Sequence, residues 1–428
     1  MGVLDDSDLP WHLATGDWIR DHGIPRSDPF SWTAAGAFWQ PNSWLADVLA
    51  SLAREIGGLA TISIGRALVV PVLAVVIFAW CRRQKVPRLP SIATSALLTL
   101  ALPPFIVVRP NVIGIGLTGM ALLMVTRPST TRSLIAFGLL FAAWSNLHGS
   151  VVVGIGVVAL AVVGMTIADL SHWNRIRYLL VAIGAALANP YGWSVFTHFF
   201  TVRNASSSID EWQPLALDDS RGITFLRVII IASAVVTLRR RSEDLVVPLP
   251  TLALAVGTVM TVRTAALLLM VSAPLIGRSF EWIGDRIPRE RYVDRVHPGI
   301  VAVAVAATVL TVSSFGNMQN VGSIGTAFST DLVDALPSDC RLFNEYTVGG
   351  FIIDHAYPDL LVSQDGCNDL YGAEELARQA PIVLTAYTAP LEAWGVNCAL
   401  IENRRPLASA LADDQRWMAA ASDPLSTS

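Results

Sequence analysis

Long apolar runs separated by short basic stretches dominate the chain from residue 61 to residue 315. They fall at 61–81, 91–108, 111–126, 133–147, 150–170, 178–196, 222–238, 246–262, 264–279 and 298–315. A helix that crosses a bilayer needs about 20 residues. The shorter runs must therefore take in flanking polar residues or re-enter the membrane, and ten spans are expected. The chain ends have another pattern. Residues 1–60 are amphipathic. They predict a hairpin of Phe30–Thr33 and Ala37–Gln40 turning at Ala35-Gly36, then an amphipathic helix from Ser43 to Ile56. Beyond residue 317, Leu342–Tyr346, Leu360–Ser363 and Ala399–Glu402 predict short buried strands. Ala373–Gln379 and Pro406–Ala412 predict helices between or after them, so this part reads as a small α/β layer. The tail after Ala421 predicts no element. The pattern gives a polytopic α-helical membrane protein in three parts: 1–60, 61–316 and a C-terminal α/β domain at 317–428.

Composition agrees with that class. The chain is 53% hydrophobic and 15% charged, against about 25% charged for a soluble domain. Its mean hydropathy is +0.51. No basic face or binding motif supports a nucleic-acid partner. The first apolar run begins too late for a cleavable signal peptide.

The sidedness of charge is more informative than the net value of −4. With residues 1–60 placed outside, the inner loops hold 16 of the 30 basic residues, in five clusters from Arg82-Arg83-x-Lys85 to Arg289-x-Arg291 and Arg295. Outer short loops hold only Arg109, Arg203, Arg221 and Arg263. Basic loops stay in the cytoplasm, and an even number of spans puts the C-terminal domain outside as well. Cys340, Cys367 and Cys398 then lie in a disulfide-permissive compartment. A Cys340–Cys398 bridge and three reduced thiols are both compatible with the spacing.

In this orientation the costly polar groups gather at the outer ends of spans: Arg109, Asn146, His148, Asn189, Tyr191, Glu211, Trp212 and Arg263. Ionisable groups at membrane depth tend to be functional. The N-terminal stretch faces the same side. Asp6 and Asp8 form a D-x-D, and Asp8 and His12 share a helix face at i, i+4. Such a set can hold a divalent cation (Mg or Mn) or place a general base by an acceptor hydroxyl. The alternative is that Asp6 and Asp8 cap a helix and His12 packs. Arg109-Pro110 places a cation at a helix start, a good phosphate site; interfacial snorkelling is the other reading. Five of the 13 tryptophans lie between Trp11 and Trp44. As a set they read as an interfacial belt, while Trp11 and Trp44 fit a stacking platform equally well.

Taken in order, these motifs resemble a group of bacterial GT-C-like membrane proteins. The resemblance rests on Asp6-x-Asp8-x-x-Trp11-His12-x-x-x-Gly16, Gly23-Ile-Pro25-x-x-Asp28-x-Phe30-Ser31 and Trp44-Leu45. It continues through Arg109-Pro110, Trp144-x-Asn146-x-His148-Gly149, Asn189-Pro-Tyr191-Gly192 and Glu211-Trp212. In the outer domain it includes Asn344-Glu-Tyr346-x-x-Gly349-Gly350 and Asp365-Gly-x-Asn-Asp369-Leu-Tyr371. The resemblance implies a glycosyltransferase of the cell envelope in a bacterial plasma membrane. It implies a polyprenyl-phosphate sugar as donor and partner, within membrane lipid. Asp8 is the implied catalytic acid/base, supported by Asp6, His12 and Asp28. Arg109, His148 and Arg263 are implied to hold the lipid phosphate, and Asp6 and Asp8 are the implied ligands of any metal. The sequence departs from the family pattern at Pro10, where a tryptophan is usual, and at Cys367, where an arginine follows Asp-Gly. The family also has a membrane helix before the acidic loop. This chain begins five residues before Asp6, so that helix is expected to be missing from it. Two other classes compete: a non-enzymatic membrane protein binding lipid or glycan, and a secondary transporter. The transporter ranks last, since no repeat is visible and no polar breaks fall mid-span.

Overall fold

A computed structural model describes residues 3–4, 7–102, 109–205, 245–280, 323–324, 329–423 and 426–427. The runs predicted at 222–238 and 298–315, together with Asp6, Glu211 and Trp212, lie outside the described residues. The chain divides into two compact units. One is helical and contains residues 63–199 and 210–318. The other is polar and joins residues 2–62, 200–209 and 319–428.

Helix α1 (Leu9–His22) belongs to the polar unit, and α2 (Trp44–Arg83) runs from the polar unit into the helical one. Gly57 and Gly58 break α2 with non-helical backbone angles. The helical unit continues with α3 (Arg88–Ala101), α4 (Asn111–Val125), α5 (Thr131–Leu147), α6 (Val151–Ala168) and α7 (Ile176–Ala186). It then contains the start of α8 (Ser194–Ala205), which divides between the units at Phe199, and α9 (Pro248–Met260) and α10 (Ala265–Ser279). Their shared core contains Trp80, Phe137, Phe141, Trp144 and Tyr178, all fully buried. Among the described residues, three helices are long and apolar enough to cross a membrane: α2, α6 and Val262–Ser279, which contains α10. Asn111–Val125 and Pro248–Met260 are shorter apolar helices. The chain is a multi-pass membrane protein.

The run predicted at 178–196 is two helices, not one. The Asn189 carboxamide donates to Ala186 O (2.6 Å) and accepts from Tyr191 N (2.8 Å). That turn ends α7, and Pro190 has no N–H with which to continue it. Within the run at 91–108 the described helix ends at Ala101, just before Pro103 and Pro104, and residues 103–108 lie outside the described residues. Several arginines read from sequence as loop charges also close helix ends. Arg175 donates to Val125 O (3.0 Å), Arg278 to Gln84 O (3.0 Å), and Arg83 to the Thr126 hydroxyl (3.1 Å) and its carbonyl. Cations at helix C-termini meet unpaired carbonyls and the negative end of the dipole.

In the polar unit, strands β1 (Val3–Leu4) and β2 (Ser323–Ile324) pair in parallel. The main layer is β3 (Leu342–Asn344), β4 (Cys398–Glu402) and β5 (Ser426–Thr427), in the order β3-β4-β5. β3 and β4 are parallel and β5 is antiparallel. Side chains alternate across this layer. Leu342 and Leu400 join one cluster with Phe30, Trp39, Ile352 and Val362. Phe343, Ala399 and Ile401 join another with Ile382, Leu391 and Leu407. Helices α11 (Thr330–Asp334), α12 (Gly349–Ala356), α13 (Asn368–Thr385), α14 (Ala389–Ala393) and α15 (Pro406–Asp413) flank it.

Several expectations are resolved here. The tail contributes β5, where no element was predicted. Phe30–Thr33 does not pair with Ala37–Gln40; Ser31 bridges in parallel to Val362, while Ser27 bridges to Phe38. The predicted strand at Leu360–Ser363 is reduced to that bridge. All four cysteines are free, with the Cys340 and Cys398 thiols hydrogen-bonded to each other. The tryptophans do not form one belt: Trp39 is buried in the core, and Trp32 donates to Leu342 O at 2.8 Å.

α2 ends where Lys85 adopts a left-handed conformation (φ 63°) and Val86 N reaches back to Cys81 O at 3.1 Å. Lys85 is exposed and is the sole lysine of the chain. In sealed spheroplasts, a membrane-impermeant amine reagent should leave Lys85 unlabelled until the membrane is permeabilised. Peptide mapping separates this signal from the N-terminus, and labelling of intact spheroplasts at Lys85 would reverse the orientation read from the basic loops.

Candidate active site

The polar unit brings Asp8, Trp11, His12, Asp28 and Asp47 together with Asp365, Gly366 and Tyr371. Asp8 occupies the N-cap position of α1, but its side chain makes no capping hydrogen bond. It is 7% exposed and accepts from the Ser7 hydroxyl at 3.3 Å. An N-cap aspartate normally satisfies the first-turn N–H groups. That bond is absent at Asp8.

His12 lies one turn further along. Its Nδ1 is 2.7 Å from Asp47 Oδ1, and both side chains are buried. The Ser43 hydroxyl also donates to Asp47, at 3.0 and 3.1 Å. A buried carboxylate bound to one ring nitrogen fixes the plane and tautomer of an imidazole. Trp11 stacks on the other side of His12, with ring centroids 3.8 Å apart. Asp47 was not singled out in the sequence. The available signal was its place three residues after Trp44, on the buried face of an amphipathic helix.

Around α1, an ion-pair network fixes the register. Asp17 accepts from Arg54 and from the Ser51 hydroxyl (2.5 Å), Arg20 pairs with Glu55, and Arg54 donates to Asp354 at 2.6 Å. α1 also lies against the start of α12. A Cβ on Gly350 would sit 2.9 Å from Ser7 O and 3.2 Å from Trp11 N. A Cβ on Gly366 would fall on Asp8 Oδ1 and lie 2.9 Å from Trp11 Nε1. Gly349 and Gly350 and the glycine after Asp365 are therefore required by close approach, since no side chain fits there.

The outer-domain motif positions this second wall. Asn344 Oδ1 accepts from Ser363 N (2.8 Å), and its Nδ2 donates to Gln364 O (2.7 Å). The side chain thus acts as a further rung beside β3 and delivers the chain into Asp365-Gly366. Glu345, buried, accepts from Glu402 N (2.8 Å) and from Arg405 Nη2 (2.7 Å). Tyr346 donates to Asn368 at 2.9 Å.

Asp365 is buried. Cys367 N (2.6 Å) and the Tyr371 hydroxyl (2.9 Å) donate to its two oxygens. Burial raises its pKa to about 7, against the opposing pull of the Cys367 N–H; the charge of Asp28 adds to the rise. Tyr371 is pushed well above its usual range, chiefly by burial, and so remains a donor. Asp28 itself is spent on its own turn. It accepts from Phe30 N and Ser31 N at 3.0 Å each, and from the Ser31 hydroxyl. Burial still raises its pKa. Cys367, at the position of the usual arginine, points into the core. Its sulfur accepts from Trp39 Nε1 (3.0 Å) and lies 3.5 Å from Asp369. Among the described residues no three His, Cys, Asp or Glu side chains converge as a metal site.

The remaining candidates belong to the helical unit. His148 Nδ1 accepts from Ser150 N (3.0 Å), closing the α5–α6 corner. Asn146 Nδ2 donates to Ala188 O (2.7 Å), tying this corner to the Asn189-Tyr191 turn. Trp144 donates to the Ser150 hydroxyl (3.0 Å), beside Gly114 in the first turn of α4, which follows Arg109. Arg263 lies in the turn between α9 and α10, next to the Thr258–Thr264 hydroxyl contact of 3.0 Å.

No family model matches the chain, and no curated protein matches its sequence. Solved structures do match. The apo oligosaccharyltransferase of Archaeoglobus fulgidus gives a TM-score of 0.60 at 12% identity, over 94% of this chain and 66% of that one. ArnT from Cupriavidus metallidurans gives 0.57 at 13% identity in the apo state, and 0.58 at 12% bound to undecaprenyl phosphate. Each ArnT match covers 99% of this chain and 93% of that one. The likeness shows the fold: the chain is built like the GT-C membrane glycosyltransferases over nearly its whole length.

Asp365 gives the polar unit a distinct pH dependence. Its folded pKa of about 7 exceeds the 3.8 of the free side chain. The folded chain therefore binds more protons between those values, and this group's contribution to stability falls as pH rises through that window. Asn at 365 can accept from Cys367 N and donate to Tyr371 Oη, without the buried charge. The Asp365→Asn full-length protein should therefore melt above wild type at pH 8, with the difference shrinking toward pH 4. A difference independent of pH would remove the assignment.

Proposed function

We propose that the chain is a GT-C-type glycosyltransferase that takes a sugar from a polyprenyl-phosphate donor and passes it to an acceptor outside the membrane. The observation that carries this reading is Asp8: a buried carboxylate at a helix start, relieved of capping, walled by Gly366 and one turn from the His12–Asp47 pair. The fold likeness supports it, including the likeness to ArnT bound to undecaprenyl phosphate.

The reaction needs a base for the acceptor and charge stabilisation for the leaving group. Asp8 takes the acceptor proton as the acceptor bonds to the anomeric carbon. The bond from that carbon to the phosphate oxygen breaks, and its electron pair leaves with the polyprenyl phosphate. Attack from the opposite face inverts the anomeric centre. His12, its ring fixed by Asp47, shapes the field around Asp8. Arg109, Arg263 and His148 are assigned to the lipid phosphate, where cations offset the negative charge that develops on leaving. Asn146, Asn189, Tyr191, Glu211 and Trp212 are assigned to the same donor site. Asp28, Asp365, Asp369 and Tyr371 hold the wall behind Asp8. No step is assigned to a metal. A role for Mg or Mn at Asp6 and Asp8 is a separate proposal, read by loss of turnover with EDTA and its return on adding either ion.

Membranes carrying the full chain should release sugar from at least one member of a radiolabelled polyprenyl-phosphate sugar panel. Asp8→Asn should lower that release by about 100-fold or more, the usual weight of a general base. Release that is equal in wild type and Asp8→Asn would sink the reading. So would ligand binding without release by any donor, which is the outcome the non-enzymatic alternative predicts.

A further inference from the structure

Trp11 has no assigned role in the reading above, yet it carries an anomaly. Its indole N–H is buried and has no hydrogen-bond partner. Leaving a buried donor unpaired costs about 1–3 kcal/mol, so native structures keep few such groups. The ring cannot easily turn to find a partner, because it is stacked on His12, which is held by Asp47. The N–H is also beside Asp8. A single Cβ on Gly366 would reach both Trp11 Nε1 and Asp8 Oδ1. Only glycine at 366 lets the Asp8 carboxylate and the Trp11 N–H share this place, because any side chain there would displace one or both.

The chemistry of the pair restricts what it can bind. An indole N–H only donates. An ionised carboxylate only accepts. One ligand atom that satisfies both must carry a lone pair and a proton. A hydroxyl oxygen has both. An amide nitrogen has no available lone pair, and an ammonium has none. We propose that Trp11 Nε1–H and the Asp8 carboxylate form a two-point site for an alcohol hydroxyl, the nucleophile of the acceptor. The inference rests on the glycosyltransferase reading and specifies its acceptor class as a sugar or lipid alcohol, not an amide. Trp11 donates to a lone pair of the hydroxyl oxygen while the O–H points at Asp8. As that oxygen bonds to the anomeric carbon, its proton passes to Asp8 and the phosphate departs with the electron pair of the broken bond. Trp11 exchanges no proton; it aims the second lone pair.

The test uses the full chain, labelled with 5-fluorotryptophan, in phosphatidylethanolamine–phosphatidylglycerol nanodiscs. The Trp11 fluorine resonance is identified by its loss in Trp11→Phe. Methyl β-D-glucoside should move that resonance, and N-methylacetamide should not. The shift should vanish in Asp8→Asn and in Gly366→Ala, both of which retain the Trp11 signal. Transfer to the glucoside by Trp11→Phe should show kcat/KM lowered by about three- to tenfold, the weight of one neutral hydrogen bond. A resonance unmoved by the glucoside, or moved equally by the amide or in Asp8→Asn, overturns the proposal. Sugar release is read separately. Asp8-dependent release with an unmoved Trp11 resonance removes this inference and keeps the glycosyltransferase. A glucoside shift without release from any donor does the reverse.

Discussion

The polar unit depends on how closely α1 can approach its neighbours. On one side, a Cβ on Gly16 would fall on the backbone carbonyl of Asp47 and lie 2.7 Å from Ser51 Cβ. On the other, Gly350 and Gly366 leave no room between α12, the Asp365 loop and the first turn of α1. Three absent side chains therefore set the spacing. Only at that spacing can His12 reach Asp47 and Asp8 lie against Gly366. The polar contacts then fix the angle: Arg54 joins Asp17 to Asp354, and so joins α1, α2 and α12. Steric permission comes first and electrostatics second, because buried charges are stabilising only in good geometry.

The same geometry explains why so many carboxylates can be buried here. Asp28, Asp47, Asp354 and Asp365 each have named donors, and those donors come mostly from backbone N–H groups or fixed side chains. Asp8 differs, since its carboxylate is withheld from the capping bond its position offers.

Much of this was legible in the sequence where the signal was local. The apolar runs at 111–126, 133–147, 150–170 and 264–279 are helices within a few residues of their predicted bounds, because hydrophobic length alone sets them. The strands at β3 and β4 were legible from short apolar runs flanked by polar residues. What was hidden depends on partners far along the chain. Phe30–Thr33 looks like half of a hairpin, but its edge is taken by Val362, over 300 residues away. Asp28 looks like a catalytic acid, and only the structure shows that its oxygens serve Phe30 and Ser31. Asp47 carries no motif; its meaning comes from His12, 35 residues earlier. Gly350 and Gly366 belong to motifs visible in the sequence, but nothing local says that they face Ser7, Asp8 and Trp11.

The interlaced construction of the polar unit has a consequence for how the protein is made. Its first part ends at Ile62 and its last begins at Gln319. Between them the ribosome must deliver all of the membrane-spanning chain, which at common elongation rates takes roughly 10–50 s. Throughout that interval Phe30 and Trp39 wait for a core whose other half does not yet exist. Any arrest of translation before residue 319 therefore leaves Phe30 and Trp39 without the later half of their core.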